Sequence, residues 1–366
     1  MFEIEEAIAA IKELDREAMD SCQERLDNLI KPLGSLDALE ALAVKMAGIS
    51  RNPRPGHFKK SLIILAADHG IVLEKNGANR LLGTHMALNV AKDTAVVNSF
   101  IKHAEVNVLL ADMGLLGDLP EMPGIFNLKI ARGTKNITNG AAMTKEEAIR
   151  AIKAGIGLAE NEISRGIGLI GLGETGVGNN VSSAAIVAAC CRLSAASVVN
   201  EENFISKEKA TYETNIIKKV LSINNPEYSD ALDILSKVGG FEIAGMVGVI
   251  LGAARGRAAI VVDGAATSAA ALLAVKLAPL AKDFLIGSLK PWKLCHQKAL
   301  EALDLRTYLD LDMRITQGCG AVLGMSLVKA SVHILNDMKT FAETGVAVAQ
   351  DGIGKSRQKS CIHTNS

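Results

Sequence analysis

Aromatic side chains are almost missing: one Trp, three Tyr and eight Phe make up 3% of the 366 residues. The hydrophobic share is nevertheless 49%, so the core must be filled by Ala, Leu, Ile and Val, with Gly wherever backbone approaches backbone or a ligand. Net charge is missing too. Forty Lys and Arg balance forty Asp and Glu, which leaves no basic footprint for nucleic acid. No CxxC pair occurs among the six cysteines at 22, 190, 191, 295, 319 and 361, which removes the usual zinc and redox signatures. Cys190 and Cys191, adjacent in an apolar helical stretch, read as buried thiols. The apolar runs 181–199 and 264–281 each carry a charge, Arg192 and Lys276, and are rich in Ala and Ser, so no membrane span is expected. The first twenty residues are acidic and amphipathic, unlike a signal peptide, and a reduced cytoplasmic location is expected.

What is present is alternation. Residues 3–30 place Ile4, Ile8, Ile11 and Leu14 on one helical face. Pro32 and Gly34 break the chain, and Ser35 reads as the cap of a further helix to about 49. Continuous apolar runs at 61–68, 106–114, 166–174, 256–266 and 283–289 read as strands covered on both faces. Helical stretches separate them at 84–102, 144–165, 180–196 and after 264, and the chain from His296 to about 348 reads as mainly helical. Strand, loop and helix in this order predict an α/β fold with a Rossmann-like parallel sheet flanked by helices. The expected layout is an N-terminal helical part of a small domain over 1–58 and a large α/β domain over 59–330. A C-terminal helix over 331–350 returns to the small domain, and 351–366 form a flexible tail. Ligands of such sheets bind at the carboxyl ends of the strands. Several strands here end in Asp, Glu or Ser beside Gly, including Asp68, Asp112, Glu174 and Asp263.

The run Gly171-Leu-Gly-Glu174-Thr-Gly176 matches G-x-G-x-x-G, a weak signal when alone. A dinucleotide site also wants an acidic residue about 20 positions on, and none occurs between Thr175 and Asn200. The continuation Val177-Gly178-Asn179-Asn180-Val181-Ser182-Ser183 suits a phosphate instead, with outward-facing amides and a helix N-terminus behind them. The alternative is a tight turn whose glycines serve packing only. No Lys follows as in a P-loop, which argues against a nucleotide triphosphatase. Asp68-His69 has no spaced third ligand, so no metal site is expected.

Six blocks occur in a fixed order: KPLGSLDALEALAVKMAGI, AADHGIV, GETGVGNNVSSAA, VGGFEIAGMVGVILGAA, DMRITQGCGAVLGM and DMKTFAETGV. Over about 31–346 the chain thereby resembles the nicotinate-nucleotide:dimethylbenzimidazole phosphoribosyltransferase family. The resemblance implies a dimer whose partner subunit helps to complete the site. It also implies transfer of phosphoribose from nicotinate mononucleotide to the lower-ligand base of a cobamide, giving an α-riboside phosphate without a cofactor. By the same resemblance Glu174 faces the reacting groups. Expected binding residues are His85, Gly176, Gly178, Asn179, Asn180, Asp263, Ser288, Arg314, Gly318 and Gly320. Asp68 and His296 are also retained.

The resemblance breaks at the base. The family places a Glu in a segment like MRLGEGTGA, and here that segment reads Met313-Arg314-Ile315-Thr316-Gln317-Gly318-Cys319-Gly320-Ala321. A carboxamide cannot take a proton at neutral pH. The acceptor-pocket Gln of the family corresponds to His85, a family Lys to Glu213, and the S-x-E-x-G-H region loses its Glu and Gly at Lys293-Leu294-Cys295-His296. Two expectations follow. In one, the chain is an enzyme with an altered acceptor, benzimidazole or phenolic, served by Glu174 as base. In the other, it is a catalytically impaired subunit that pairs with a Glu-bearing relative. A Rossmann-type oxidoreductase is the third.

Overall fold

The computed structural model describes residues 2–72, 81–199, 206–315 and 317–345. The chain divides into two compact units: Met1–Lys12 with Lys60–Gly324, and Glu13–Lys59 with Met325–Ser366. The first twelve residues, expected with the small domain, thus cluster with the large one. The expected boundaries at 58/59 and 330/331 fall at 59/60 and 324/325. The expected tail at 351–366 lies outside the described residues.

The larger unit holds six strands: β1 (Lys59–Ala67), β2 (Asn107–Gly114), β3 (Ile125–Asn127), β4 (Ile167–Thr175), β5 (Ala259–Val262) and β6 (Leu285–Gly287). Their order in the sheet is β3-β2-β1-β4-β5-β6. Pairing is parallel, with Leu110 opposite Ile125, Ile63 opposite Leu109 and Ile260 opposite Leu285. This is the doubly wound Rossmann order, with its reversal between β1 and β4, where a crevice opens above the carboxyl ends. β1 is buried along almost its whole length, as a strand roofed on both faces must be.

Helices α1 (Phe2–Ala10), α2 (Arg16–Asn28), α3 (Ala38–Ser50), α4 (Leu82–Ala91), α5 (Val96–Ala104), α6 (Lys145–Ser164), α7 (Asn179–Cys191), α8 (Lys207–Asn224), α9 (Ala231–Val238), α10 (Phe241–Arg255), α11 (Ala265–Leu277), α12 (Leu294–Leu303), α13 (Cys319–Asp337) and α14 (Phe341–Thr344) follow in chain order. Two helices expected as single are each divided. The 3–30 stretch breaks where the Asp15 side chain accepts the Ala18 amide and starts α2. The 84–102 stretch breaks at 92–95, where Asp93 takes φ 62° and Asn98 accepts the Ala95 amide. Cys190 and Cys191 are half-buried rather than sealed in the core.

The scarcity of rings is met by close helix packing. Residues 241–254 of α10 are all buried. A Cβ on Gly155 of α6 would lie 1.9 Å from the Gly245 carbonyl oxygen, and one on Gly248 equally near the Ile152 oxygen. The two helices therefore meet backbone to backbone, a contact only glycine permits.

In the smaller unit, Cys22, Leu26 and Leu29 of and after α2 pack on Ala43 and Ala47 of α3 and on Leu335. Arg25 donates to the Leu335 and Met338 carbonyls at 3.0 and 3.3 Å, satisfying the C-terminal end of α13. Among the described residues only α13 is long and apolar enough to cross a bilayer. Its residues Cys319, Ala321, Val322, Met325, Val328, Val332 and Leu335 are buried in protein.

Candidate active site

β1 and β4 end against each other so closely that a Cβ on Gly176 would lie 1.8 Å from the Ala67 carbonyl oxygen; Gly176 has φ 145°. Above this seam is a cavity of about 420 Å³, all of it within the larger unit. Glu174 and Thr175, the end of β4, and Gly176 just after it line the cavity. Asn179 and Asn180 enter at the N-terminus of α7, and Lys293, Leu294 and Cys295 at that of α12, so two positive helix ends face the space. Arg314, Ile315 and Gln317 close one side; Met86, Glu213, Trp292 and the Val198-Val199 pair close the rest.

Glu174 is the chemically unusual group. Burial, and then the neighbouring Glu242 carboxylate, push its carboxyl up to about 7, against a smaller opposing pull from Lys293. Its Oε2 accepts from the Asn179 side chain, while Lys293 reaches the Asn180 side chain. Glu174 therefore bonds to the side chain of α7's first residue rather than capping the helix. It sits between protonation states near neutrality, as a general base should.

Beneath the cavity lies a sealed network. His69 Nε2 meets Glu242 Oε1 at 2.7 Å, and His69 Nδ1 meets Ser182 Oγ at 3.0 Å. The residue types are those of a Ser-His-Glu triad, but all three are buried, so no substrate reaches the hydroxyl. Glu242 and its like-charged neighbours hold the His69 imidazole above its usual value despite burial. Asp68 accepts the Leu116 amide at 3.0 Å and the Val177 amide at 3.3 Å, and burial pushes its carboxyl up. The Val177 amide is thus turned inward to Asp68, where the loop was expected to present its amides outward. At the neighbouring strand end, Lys129 Nζ sits among four oxygens. These are the Leu115 and Gly117 carbonyls at 2.8 and 2.6 Å and the Asp112 and Asp118 carboxylates at 3.0 and 3.3 Å.

The expected site residues separate into two sets. Glu174, Gly176, Asn179, Asn180, Arg314 and Gln317 come together around the cavity. Gly178, the N-cap of α7, lines a second space of about 920 Å³ with Tyr212 and Lys219. His85 lies exposed on α4, and its neighbour Met86 reaches the cavity instead. Asp263 is spent on structure: Oδ2 accepts the Gly318 amide at 2.8 Å and Oδ1 the Ala321 amide at 3.1 Å, which starts α13. Burial still lifts its carboxyl to about 6. Gly320 passes against that carboxylate, and Ser288 donates to the Val262 carbonyl at 2.7 Å. Gln317 takes φ 50°, and its carbonyl presses on Gly173, beside Glu174. Among the described residues no group of three or more His, Cys, Asp or Glu is placed to hold a metal. Trp292 and Lys293, absent from the expected set, are walls of the cavity. In the sequence Lys293 stood out only as part of the stretch that loses the family's Glu and Gly, and Trp292 only by its place just after the β6 strand end.

A family model described as phosphoribosyltransferase matches residues 11–346. The chain belongs to that phosphoribosyltransferase family. The nicotinate-nucleotide–dimethylbenzimidazole phosphoribosyltransferase of a Dehalococcoides mccartyi strain is 40% identical over 344 residues, covering 94% of this chain and 98% of that one. Its namesake from Geobacter metallireducens is 39% identical over 347 residues, with the same coverage. The crystal structure of CobT from Thermus thermophilus superposes with a TM-score of 0.86 at 34% identity, over 91% of this chain and all of that one. The chain is a pentosyltransferase with the fold of that structure. The oxidoreductase expectation is not favoured, and the geometry gives the reason. Gly171 and Gly173 of the G-x-G-x-x-G run lie inside β4, leaving Gly176 alone in the turn, whereas a dinucleotide fingerprint needs its glycines after the strand.

Proposed function

We propose that the chain moves the phosphoribosyl group of nicotinate mononucleotide onto a benzimidazole or phenolic acceptor destined to be a cobamide lower ligand, with Glu174 as the base. The observation that carries this reading is a half-buried carboxyl poised near 7 in a cavity walled by Lys293, Arg314 and two helix N-termini. The cations and helix ends suit the nucleotide phosphate. As the glycosidic C–N bond breaks, its electron pair returns to the ring nitrogen, and nicotinate leaves with a neutral pyridine nitrogen that needs no acid. The acceptor lone pair bonds the oxocarbenium-like ribose carbon, and the acceptor N–H or O–H proton passes to Glu174. A phenol, with a pKa of about 10 by analogy with Tyr, asks less of that base than an azole N–H. Action in the cytoplasm and assembly as a dimer belong to the same reading.

Gln317 supports a second reading, a subunit paired with a Glu-bearing relative. It stands in the cavity wall beside Glu174, where the resemblance calls for a carboxylate. One assay separates the two. Purified chain, alone and co-expressed with a homologue, is offered nicotinate mononucleotide with dimethylbenzimidazole, phenol and p-cresol. Turnover by the chain alone supports the first reading; turnover only with the homologue supports the second.

A further inference from the structure

The cavity has a side recess of about 30 Å³, whose walls include Glu174, Asn179, Lys293 and Arg314 from the larger space. Its own contributions are Ser183, the first-turn residues Ala265 and Ala266 of α11, and His296. His296 is 4% exposed, yet its imidazole finds no hydrogen-bond partner among the described residues. Buried polar rings are normally satisfied, and an orphan facing a space points to a ligand group. The recess has room for about one or two water-sized groups and is too small for a phosphoryl group. Charge selects further. Burial and Lys293 push the His296 ring down to about 4, so it is neutral, with one donor and one acceptor nitrogen. A neutral group that both donates and accepts is a hydroxyl.

Resting on the proposed phosphoribosyl transfer, we propose that this recess receives one hydroxyl of the donor's ribose and that His296 is the residue that recognises it. A neutral imidazole opposite a carboxyl matches a hydroxyl on both sides: the ring N–H donates to the oxygen, and the hydroxyl donates to Glu174. His296 is then a specificity residue for the sugar and takes no proton in the reaction. Hydrogen bonds to sugar hydroxyls that tighten as the oxocarbenium ion forms also assist the glycosidic bond to break.

The test uses the full chain with nicotinate mononucleotide and its 2′-deoxy and 3′-deoxy analogues. Binding is measured by calorimetry, and kcat/KM where turnover occurs. The unaltered chain should discriminate against one analogue and not the other, which names the hydroxyl. In His296→Ala the discrimination should fall about tenfold, as the loss of one neutral hydrogen bond allows. His296→Gln, which keeps a donor and an acceptor, should recover most of it. A merely structural role would weaken all three ligands alike and leave the ratio unmoved. If the nucleotide binds and the ratio is the same in all three proteins, the recess holds only water and the inference is lost. If the nucleotide does not bind at all, the phosphoribosyl reading falls, and this inference with it. Should His296→Ala fail to fold, the His296→Asn ratio decides in its place.

Discussion

Two carboxyls stand at the ends of neighbouring strands, half-buried Glu174 closing β4 and buried Asp263 following β5, and they are put to opposite uses. Asp263 spends both oxygens on amides of the 318–321 turn, so its charge is matched by the head of α13. Glu174 has one side-chain partner, Asn179, and one oxygen left toward open space, with Glu242 as a repelling neighbour. Burial raises both. Hydrogen-bond saturation makes one a girder and its absence leaves the other reactive. Position at a strand end tells that a carboxylate is there for a reason; only its partners tell which reason.

The sharpest way to break this comparison is Glu174→Gln. Turnover should fall roughly 100- to 10,000-fold, the usual worth of a general base, with the circular dichroism spectrum unchanged. Initial rates with each acceptor measure it, and a rate within threefold of the original would remove Glu174 from the chemistry. Next in size is Gln317→Glu, which restores a carboxylate beside Glu174. It should raise turnover of dimethylbenzimidazole about tenfold or more, within the range general bases supply, and that of phenol by less. Equal gains for both acceptors would contradict the link between Gln317 and acceptor acidity. Asp263→Ala should leave nucleotide affinity nearly unchanged but cost about 3 kcal/mol of stability through orphaned buried amides, read as a lowered urea midpoint. A Kd raised tenfold with normal stability would reverse the roles assigned to the two acids.

The last effect is one of pH. The Glu174 carboxyl keeps its proton up to about 7 when folded, against an ordinary 4.5. The folded value is the raised one, so the stabilisation is complete below about 4.5 and vanishes as pH climbs through about 7. Relative to Glu174→Gln, the unaltered chain should therefore lose up to about 3 kcal/mol between those limits, visible in paired urea titrations. Turnover runs the other way, rising through about pH 7 as the base ionises. A gap between the two proteins that does not change with pH would mean that the Glu174 carboxyl titrates in the fold as it does in the unfolded chain.

The sheet was legible because a parallel strand roofed on both faces reads as an unbroken apolar run, and β1, β2 and β4 lie within a residue or two of their expected limits. β3 has three residues and offers no run to find. α10 escaped for the opposite reason: buried on every side, it carries no polar face and hence no helical period. The divided helices turn on single side chains, Asp15 and Asn98, whose capping bonds leave the surrounding pattern unaltered. In the site, Glu174 announced itself as a charge at the end of an apolar strand, and Gln317 as a mismatch against the family pattern. The His69–Glu242 pair could not be read, since its members are 173 positions apart and only the fold joins them. Lys293 was visible only as part of a mismatch against the family pattern, and its role as a cavity wall was not, because a lysine in a loop becomes a wall only once β6 has placed it.

Lys129 has a consequence of its own. An ammonium ringed by two carbonyls and two carboxylates occupies the kind of oxygen nest in which other proteins lodge a dissolved cation. Here the ion is covalently tethered to the chain. It cannot be stripped by a chelator or exchanged when the salt of the medium changes, so the loop that steadies Asp68 keeps its charge balance wherever the protein is made.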